Sequence, residues 1–279
     1  MTPQEIFKEA SKRGVGILSI TDHDSIDCQE EAKMLADEYH IIYFSGLELS
    51  VFFSHPSYMD SKPVSLDFLA YEYDLYYQPL VNKLKVLREH RKKRAEQILE
   101  KINQELIKEN LQKFSHKDLE AIESSVDGAF GRPHIADYMI KKGIVSNKQE
   151  AFEKYLVRCN VPKMPLSLSE AHELVKGAGG KMILAHPNHP RGTSLVKFTT
   201  DLEEQQRIIT EAILPYIDGI ECWHSAHDRK STQSYLEFAK NMKLMVTGGS
   251  DCHQQPLLIG TVDVPDYVAQ QFGPHFVKE

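Results

Sequence analysis

The sequence has few covalent or membrane anchors. Its 279 residues include four cysteines, Cys28, Cys159, Cys222 and Cys252. None falls in a C-x-x-C pair, which argues against a redox motif or a zinc finger and leaves each as a small buried residue. No signal peptide opens the chain and no apolar run is long enough to span a bilayer, so a cytoplasmic protein without membrane contact is expected. Positive charge is also short, with a formal net charge of -7. A general nucleic-acid-binding surface would push that balance the other way, so any nucleic acid must meet a local patch. Ser19 and Ser250 lack the G-x-S-x-G context of a nucleophile elbow, and neither a P-loop nor a dinucleotide-binding glycine fingerprint occurs.

What the chain does have is an α/β rhythm interrupted once. With 41% hydrophobic and 26% charged residues, it can bury a large core in one domain, or in one domain carrying an insertion. Thr2-Pro3-Gln4-Glu5 predicts a helix start, with Thr2 as N-cap, Pro3 at the first helical position, Glu5 closing a capping box, and Gly14 as the stop. A strand over 15–21, a helix over 28–39, and a strand over 41–44 that continues through 46–51 follow. Residues 55–62 read as a loop and 66–71 as a strand. Leu80, Leu84, Leu87, Ile98, Ile102 and Leu106 then recur at helical spacing along one long helix, with further helices over 117–122, 131–139 and 148–156. From Pro165 the alternation resumes, with helices ending at Lys176 and spanning 202–213 and 231–241, and strands over 181–185, 217–223 and 244–248.

Chemistry gathers at the strand ends. Val15 to Ser19 runs into Ile20-Thr21-Asp22-His23-Asp24, Lys181 to Ala185 into His186, Gly219 to Trp223 into His224, and Leu244 to Gly248 into Asp251-Cys252-His253. An α/β enzyme places its chemistry at the C-terminal ends of its strands. One such histidine would be unremarkable; four, most with a nearby carboxylate, point to a polynuclear metal site at one mouth of a barrel. The two outer side chains of an extended Asp-x-His point to the same side. Glu48 lies between apolar residues, either as a paired or metal-bound carboxylate or as a strand residue facing solvent by alternation. Imidazole and carboxylate without thiolate suit Zn²⁺, Mn²⁺ or Fe²⁺ rather than a structural zinc site.

Basic residues mark the interruption. The apolar stripe of the long helix, extended through its gap, lands on Arg91 and on Arg94 or Ala95. These arginines are either a snorkelling pair at the stripe's edge or phosphate ligands. Gly131-Arg132-Pro133-His134 places free backbone N–H groups beside Arg132 and His134, which makes either an anion site or an ordinary helix start. Together the two sets point to metal-assisted hydrolysis of a phosphoester.

Ile20 to Asp24, Gly46-Leu47-Glu48, Ala185-His186-Pro187 and Gly249 to His253 resemble, in order and spacing, motifs of the PHP (polymerase and histidinol phosphatase) superfamily. The helical insertion is similar to the branch that includes the 3′,5′-nucleoside bisphosphate phosphatase and the 5′→3′ exoribonuclease. The resemblance covers nearly the whole chain. It implies an α/β fold, a distorted (β/α)₇ TIM-like barrel formed by residues 1–74 and 166–279, with an all-helical insertion over 75–165. It implies two or three divalent ions, Mn²⁺, Zn²⁺ or Fe²⁺, held by His23, Glu48, His186, Asp251 and His253, with Asp67 standing where the family usually has His. Asp251, His253 and His23 would be catalytic. Arg91, Arg94, Arg132 and His134 would contact phosphate, and His224 and His227 would line the pocket. The substrate would be a nucleoside bisphosphate or the 5′ end of a short RNA; alternatives are another phosphomonoester such as histidinol phosphate, or a non-catalytic nucleotide-binding module. The family's first strand, with an H-x-H pair and a following Asp, has no counterpart ahead of Thr2. A chain starting at Met1 is therefore expected to be a poorer enzyme than one extended upstream.

Overall fold

The computed structural model describes residues 1–123, 131–253 and 257–273. The chain divides into two compact units, Met1–Val81 with Pro165–Glu279, and Asn82–Met164.

The first unit opens as the sequence dictates. Helix α1 (Pro3–Lys12) is capped by Thr2, whose hydroxyl accepts from the Glu5 N–H while the Glu5 carboxylate accepts from the Thr2 N–H. Strand β1 (Ile17–Leu18), α2 (Gln29–Tyr39) and β2 (Ile42–Tyr43) form a βαβ unit with β1 and β2 parallel, and Phe7, Ala10, Leu35 and Ile41 fill its core. The predicted continuous strand over 41–51 is instead two. After β2 the chain passes Gly46, where a β-carbon would sit 2.2 Å from Ser19 Oγ and 2.9 Å from the Ile20 carbonyl oxygen. Only glycine admits that approach. β3 (Gly46–Phe53) then pairs antiparallel with β4 (Val64–Tyr71), and residues 55–62 are the connection, as expected. So these two strands make a hairpin rather than a βαβ repeat.

α7 (Leu168–Gly177) leads to β5 (Lys181–Leu184), which pairs antiparallel with β4. β6 (Gly219–His224), α9 (Arg229–Met242) and β7 (Met245–Gly249) follow α8 (Leu202–Ile208), with β5, β6 and β7 parallel. The described strands thus give a mixed α/β fold with a two-stranded ribbon and a five-stranded sheet ordered β3-β4-β5-β6-β7. A parallel bridge between His23 and Glu48 ties the ribbon's exit to the sheet. On the side of β7 away from β6, the Gln271 amide accepts from the Val246 N–H and donates to the Val246 carbonyl, both at 3.0 Å, just beyond α10 (Tyr267–Gln270). No helix among the described residues is long and apolar enough to cross a membrane.

The second unit is helical. Most of α3 (Gln78–Lys108), with α4 (His116–Glu123), α5 (Arg132–Lys141) and α6 (Lys148–Ala151), packs around Ile98, Ile102, Leu106, Ile135, Met139 and Tyr155. A π-helical turn over Phe152–Leu156 continues α6. Asp118 pins α4 to α5: its carboxylate accepts from Ser115 N–H and Oγ, from Tyr138 Oη at 2.7 Å and from Lys142 Nζ at 2.8 Å. Lys142 first, then Ser115 and Tyr138, hold this carboxyl well below the usual range. Asp118→Asn is expected to destabilise the chain at neutral pH by about 1–2 kcal/mol, since hydrogen bonds to a charged group contribute about 1.5–3. A folded-state pKa below the unfolded value of about 3.9 means the contribution is complete above that pH and lost as pH falls towards the folded value. Urea melts at pH 7 and pH 3 should therefore show the difference between the two proteins shrinking in acid.

Candidate metal centre

The His23–Glu48 bridge begins the site. Asp24 N–H donates to the Glu48 carbonyl (2.8 Å) and Glu48 N–H to that of Asp22 (3.2 Å), which puts His23 Nδ1 3.2 Å from Glu48 Oε2. Glu48 is buried, which resolves the alternatives left by its alternation in favour of an inward carboxylate. Its other oxygen is 3.2 Å from His186 Nε2, and Asp67 Oδ2 lies 4.0 Å from the same nitrogen. Asp67 sits opposite Ser50 in the hairpin, accepts from Ser50 Oγ (3.0 Å), and is also held by Thr193 Oγ1.

His186 follows β5 at φ 25° and Asp251 follows β7 at φ 47°, left-handed conformations that cost a non-glycine residue free energy and cluster at functional sites. Because Asp251 is left-handed, Asp251-Cys252-His253 is not the extended pair expected. His253 Nδ1 folds back to 2.8 Å from the Asp251 carbonyl oxygen and 3.2 Å from Oδ1. His224 Nε2 lies 3.4 Å from Asp251 Oδ2.

Glu221 is the carboxylate that sequence reasoning missed. Strict alternation along β6 would place positions 221 and 224 on opposite faces. A register shift between Glu221 and Trp223 breaks the alternation, and both Glu221 and His224 are buried. Glu221 Oε2 accepts the His186 backbone N–H at 2.8 Å and so holds the strained turn. His189, also not singled out, completes a chain of imidazoles, with ring centroids 5.7 Å from His186 and 5.5 Å from His224. His227 continues it, 5.4 Å from His224. Its Nδ1 bonds the Cys222 carbonyl and its Nε2 accepts the Asn188 N–H, so it offers the site a ring face rather than a free nitrogen. Burial pushes it down to about 4 and keeps it neutral.

Electrostatics mark the cluster as built for a cation. Burial first, then the Asp251 and Glu221 carboxylates, push Glu48 well above the usual carboxylate range. Burial likewise raises Glu221. For Asp251, burial pushes upward, but the His224 and His253 imidazoles outweigh it and hold the carboxyl well below its ordinary value. The Asp251 hydrogen bond leads in pushing His253 up to about 8.

The donor set fits a divalent ion. His23, Glu48 and Asp67 each present one ligand atom, all within 4.8 Å of one another, close to the span of donors sharing an ion at about 2.0–2.2 Å. His186 Nδ1 is buried with no hydrogen-bond partner among the described residues, an arrangement that calls for an explanation. No thiolate takes part: all four cysteines are free, Cys159 and Cys222 buried, Cys28 and Cys252 half-buried.

No family model matches the chain. Among curated proteins it is similar to a 5′-3′ exoribonuclease of Haemophilus influenzae, 24% identical over 91% of this chain and 85% of the relative. It is also similar to a 3′,5′-nucleoside bisphosphate phosphatase of Chromobacterium violaceum, 25% identical over 91% of this chain and 82% of that one. Among solved structures it matches a proposed metal-dependent phosphoesterase from Bifidobacterium adolescentis with a TM-score of 0.78 and 25% identity, covering 97% of this chain and 89% of the other. The likeness to the PHP phosphoesterases holds. In this PHP-like chain His23, Glu48, Asp67 and His186 converge as one group, and His224, Asp251 and His253 as another beside it.

The other predicted residues lie in the helical unit. Arg94 is buried, donating from Nε to the Val161 carbonyl and from a terminal nitrogen to Asn160 Oδ1. Burial, then the charges of Arg132 and Arg91, push it down to about 10. Arg132 lies over the Phe152 ring and donates to the Leu156 carbonyl. His134 Nδ1 accepts the Gly131 N–H, which uses the ring to cap its own helix.

Proposed function

We propose that the chain is a metal-dependent phosphoesterase acting on nucleotides, either nucleoside 3′,5′-bisphosphates or the 5′ ends of short RNA. The observation that supports this most is the pair of buried carboxylates Glu48 and Glu221, repelled by each other and by the more exposed Asp251 and interleaved with imidazoles. Two or three ions of Mn²⁺, Zn²⁺ or Fe²⁺ would be held by His23, Glu48, Asp67, His186, Asp251 and His253. When bound, such ions polarise a phosphoryl oxygen and lower the pKa of a water. The chain's own residues do the rest. Glu221 fixes the His186 turn through its backbone N–H. Asp251 orients His253, whose Nδ1 lies 3.2 Å from Asp251 Oδ1. Arg91, Arg94, Arg132 and His134 are assigned to a phosphate group, with the guanidiniums able to bind bidentately. The five-stranded sheet and the two-stranded ribbon are read as the wall of the distorted barrel that the resemblance implies.

Metal content tests the reading directly. Elemental analysis should find at least one transition-metal ion per chain after purification in Mn²⁺ or Zn²⁺. Raising the free ion to 100 times its Kd should add about 2.7 kcal/mol of stability, seen as a higher melting temperature that a chelator reverses together with phosphoester hydrolysis. A melting temperature indifferent to both ions and chelator would sink the proposal and leave a non-catalytic module.

A further inference from the structure

The loop that follows β5 does more than carry His186. β4 and β5 run antiparallel with Phe68 opposite Leu184, so the next pair in register is Asp67 with Ala185. A hydrogen-bonded antiparallel pair exchanges two backbone bonds. Ala185 makes one of them, its N–H donating to the Asp67 carbonyl at 3.1 Å. The other is made by a residue further along: Asp67 N–H donates to the Thr193 carbonyl at 3.3 Å. The chain leaves the sheet at His186, whose φ of 25° is left-handed, and returns at Thr193 to the same point of β4. The excursion closes on itself. Leu195 N–H donates to the Pro187 carbonyl (3.0 Å) and Ser194 Oγ to that of His189 (2.6 Å), and both Ser194 and Leu195 are buried.

This return sets a side chain as well as a backbone. Thr193 Oγ1 donates to Asp67 Oδ2, and Ser50 Oγ, opposite Asp67 in the β3–β4 hairpin, donates to Oδ1 at 3.0 Å. Asp67 is therefore a buried carboxylate with a hydroxyl on each oxygen. The terminal torsion of an aspartate is broad, so a carboxylate without such contacts has a loosely set plane. A hydroxyl has one proton to donate, and a carboxylate oxygen can accept more than one contact. One Asp67 oxygen still lies within 4.8 Å of the ligand atoms of His23 and Glu48, and Oδ2 is 4.0 Å from His186 Nε2.

We propose that Thr193 is a positioning residue for the metal centre: its hydroxyl, with that of Ser50, sets the plane of the Asp67 carboxylate so that one oxygen meets the ion shared with His23 and Glu48. The inference rests on the metal-dependent reading and deepens it. One loop then registers two ligands at once, His186 directly and Asp67 through Thr193. Groups that hydrogen-bond a metal ligand orient it, and their loss typically costs about 10–100-fold in metal affinity.

Metal affinity, rather than turnover, is the readout. Calorimetric titration of the metal-free protein with Mn²⁺ should give a Kd about 10–100-fold higher for Thr193→Val than for the wild type. Valine keeps the shape of threonine and drops the hydroxyl. Thr193→Ser keeps the hydroxyl and should return the Kd towards the wild-type value, which a purely space-filling role of the threonine would not produce. Ser50→Ala should weaken Mn²⁺ binding in the same direction, and it carries the test if Thr193→Val does not fold. In an Asp67→Ala background Thr193→Val should raise the Kd no further, because residues that act through one contact are not additive. A wild-type Kd in Thr193→Val, or in Ser50→Ala where the valine variant does not fold, overturns the assignment and leaves the metal reading standing. So does a loss of the same size with and without Asp67. A wild-type protein that binds neither Mn²⁺ nor Zn²⁺ overturns the metal reading itself, and this inference falls with it.

Discussion

Replacing Glu48 with glutamine is expected to lower phosphoester hydrolysis at least about 100-fold, the upper end of what loss of a metal-supporting group removes, and to make the metal-free protein more stable. Glutamine keeps the volume of Glu48 and its place between His23 Nδ1 and His186 Nε2. It removes a buried carboxyl that faces Asp251 and Glu221 and whose proton the metal-free fold retains. Retaining that proton costs folding free energy above the unfolded pKa, and each kcal/mol recovered should raise the melting temperature by about 2–4 °C. The pH dependence has a definite sign. Because the folded pKa of Glu48 is raised, the metal-free wild-type protein loses stability as pH rises above the unfolded value of about 4.3, where the unfolded chain releases a proton that the fold retains. The glutamine variant has no such loss, so its advantage should widen with pH. Melts with and without metal, with hydrolysis assays, check both halves. A variant that melts lower without metal would make Glu48 a structural residue, and one that hydrolyses at the wild-type rate would remove it from the site.

Gln29→Met should cost about 3–5 kcal/mol and weaken metal binding as well. Gln29 is fully buried at the first position of α2. Its amide donates to the carbonyls of Ile20 (2.9 Å) and Gly46 (2.8 Å) and accepts from Gly46 N–H (3.2 Å) and Tyr43 Oη (2.8 Å). Methionine fills the space but takes a partner from the Ile20 carbonyl, the Gly46 N–H and Tyr43 Oη, at about 1–3 kcal/mol each before relaxation, while the Gly46 carbonyl keeps Tyr73 Oη at 2.8 Å. The same amide clamps the chain after β1 to the start of β3, just below the His23–Glu48 bridge. Denaturant melts would give the stability loss, and a metal titration the affinity. A loss below about 1 kcal/mol would show that water replaces the amide.

The strand-end residues His23, His186, His224 and Asp251 were legible in the sequence because an apolar run stopped by His or Asp survives without any knowledge of pairing. The capping box at Thr2 and Glu5 was legible for the same reason: it is local. Glu221 was hidden because its inward aim depends on a bulge, which is a property of two strands. The hairpin of β3 and β4 was hidden by Gly46, read as part of a continuous strand when it is the point where backbones cross closely. Asp251-x-His253 was found, but its geometry was misread, since a left-handed Asp251 is set by what surrounds the turn. Gln29 gave no signal at all; a polar residue at a helix start is ordinary until tertiary contacts bury it.

The Gln271 amide on Val246 has a consequence for behaviour at high concentration. A terminal strand that shows unpaired N–H and C=O groups is a template for intermolecular pairing and aggregation. A side-chain amide carries the same donor and acceptor as a peptide group, and here it occupies both groups of Val246, the second residue of β7. A strand from another molecule would have to displace it before adding to the sheet. One glutamine thus serves as a one-residue false strand at that edge.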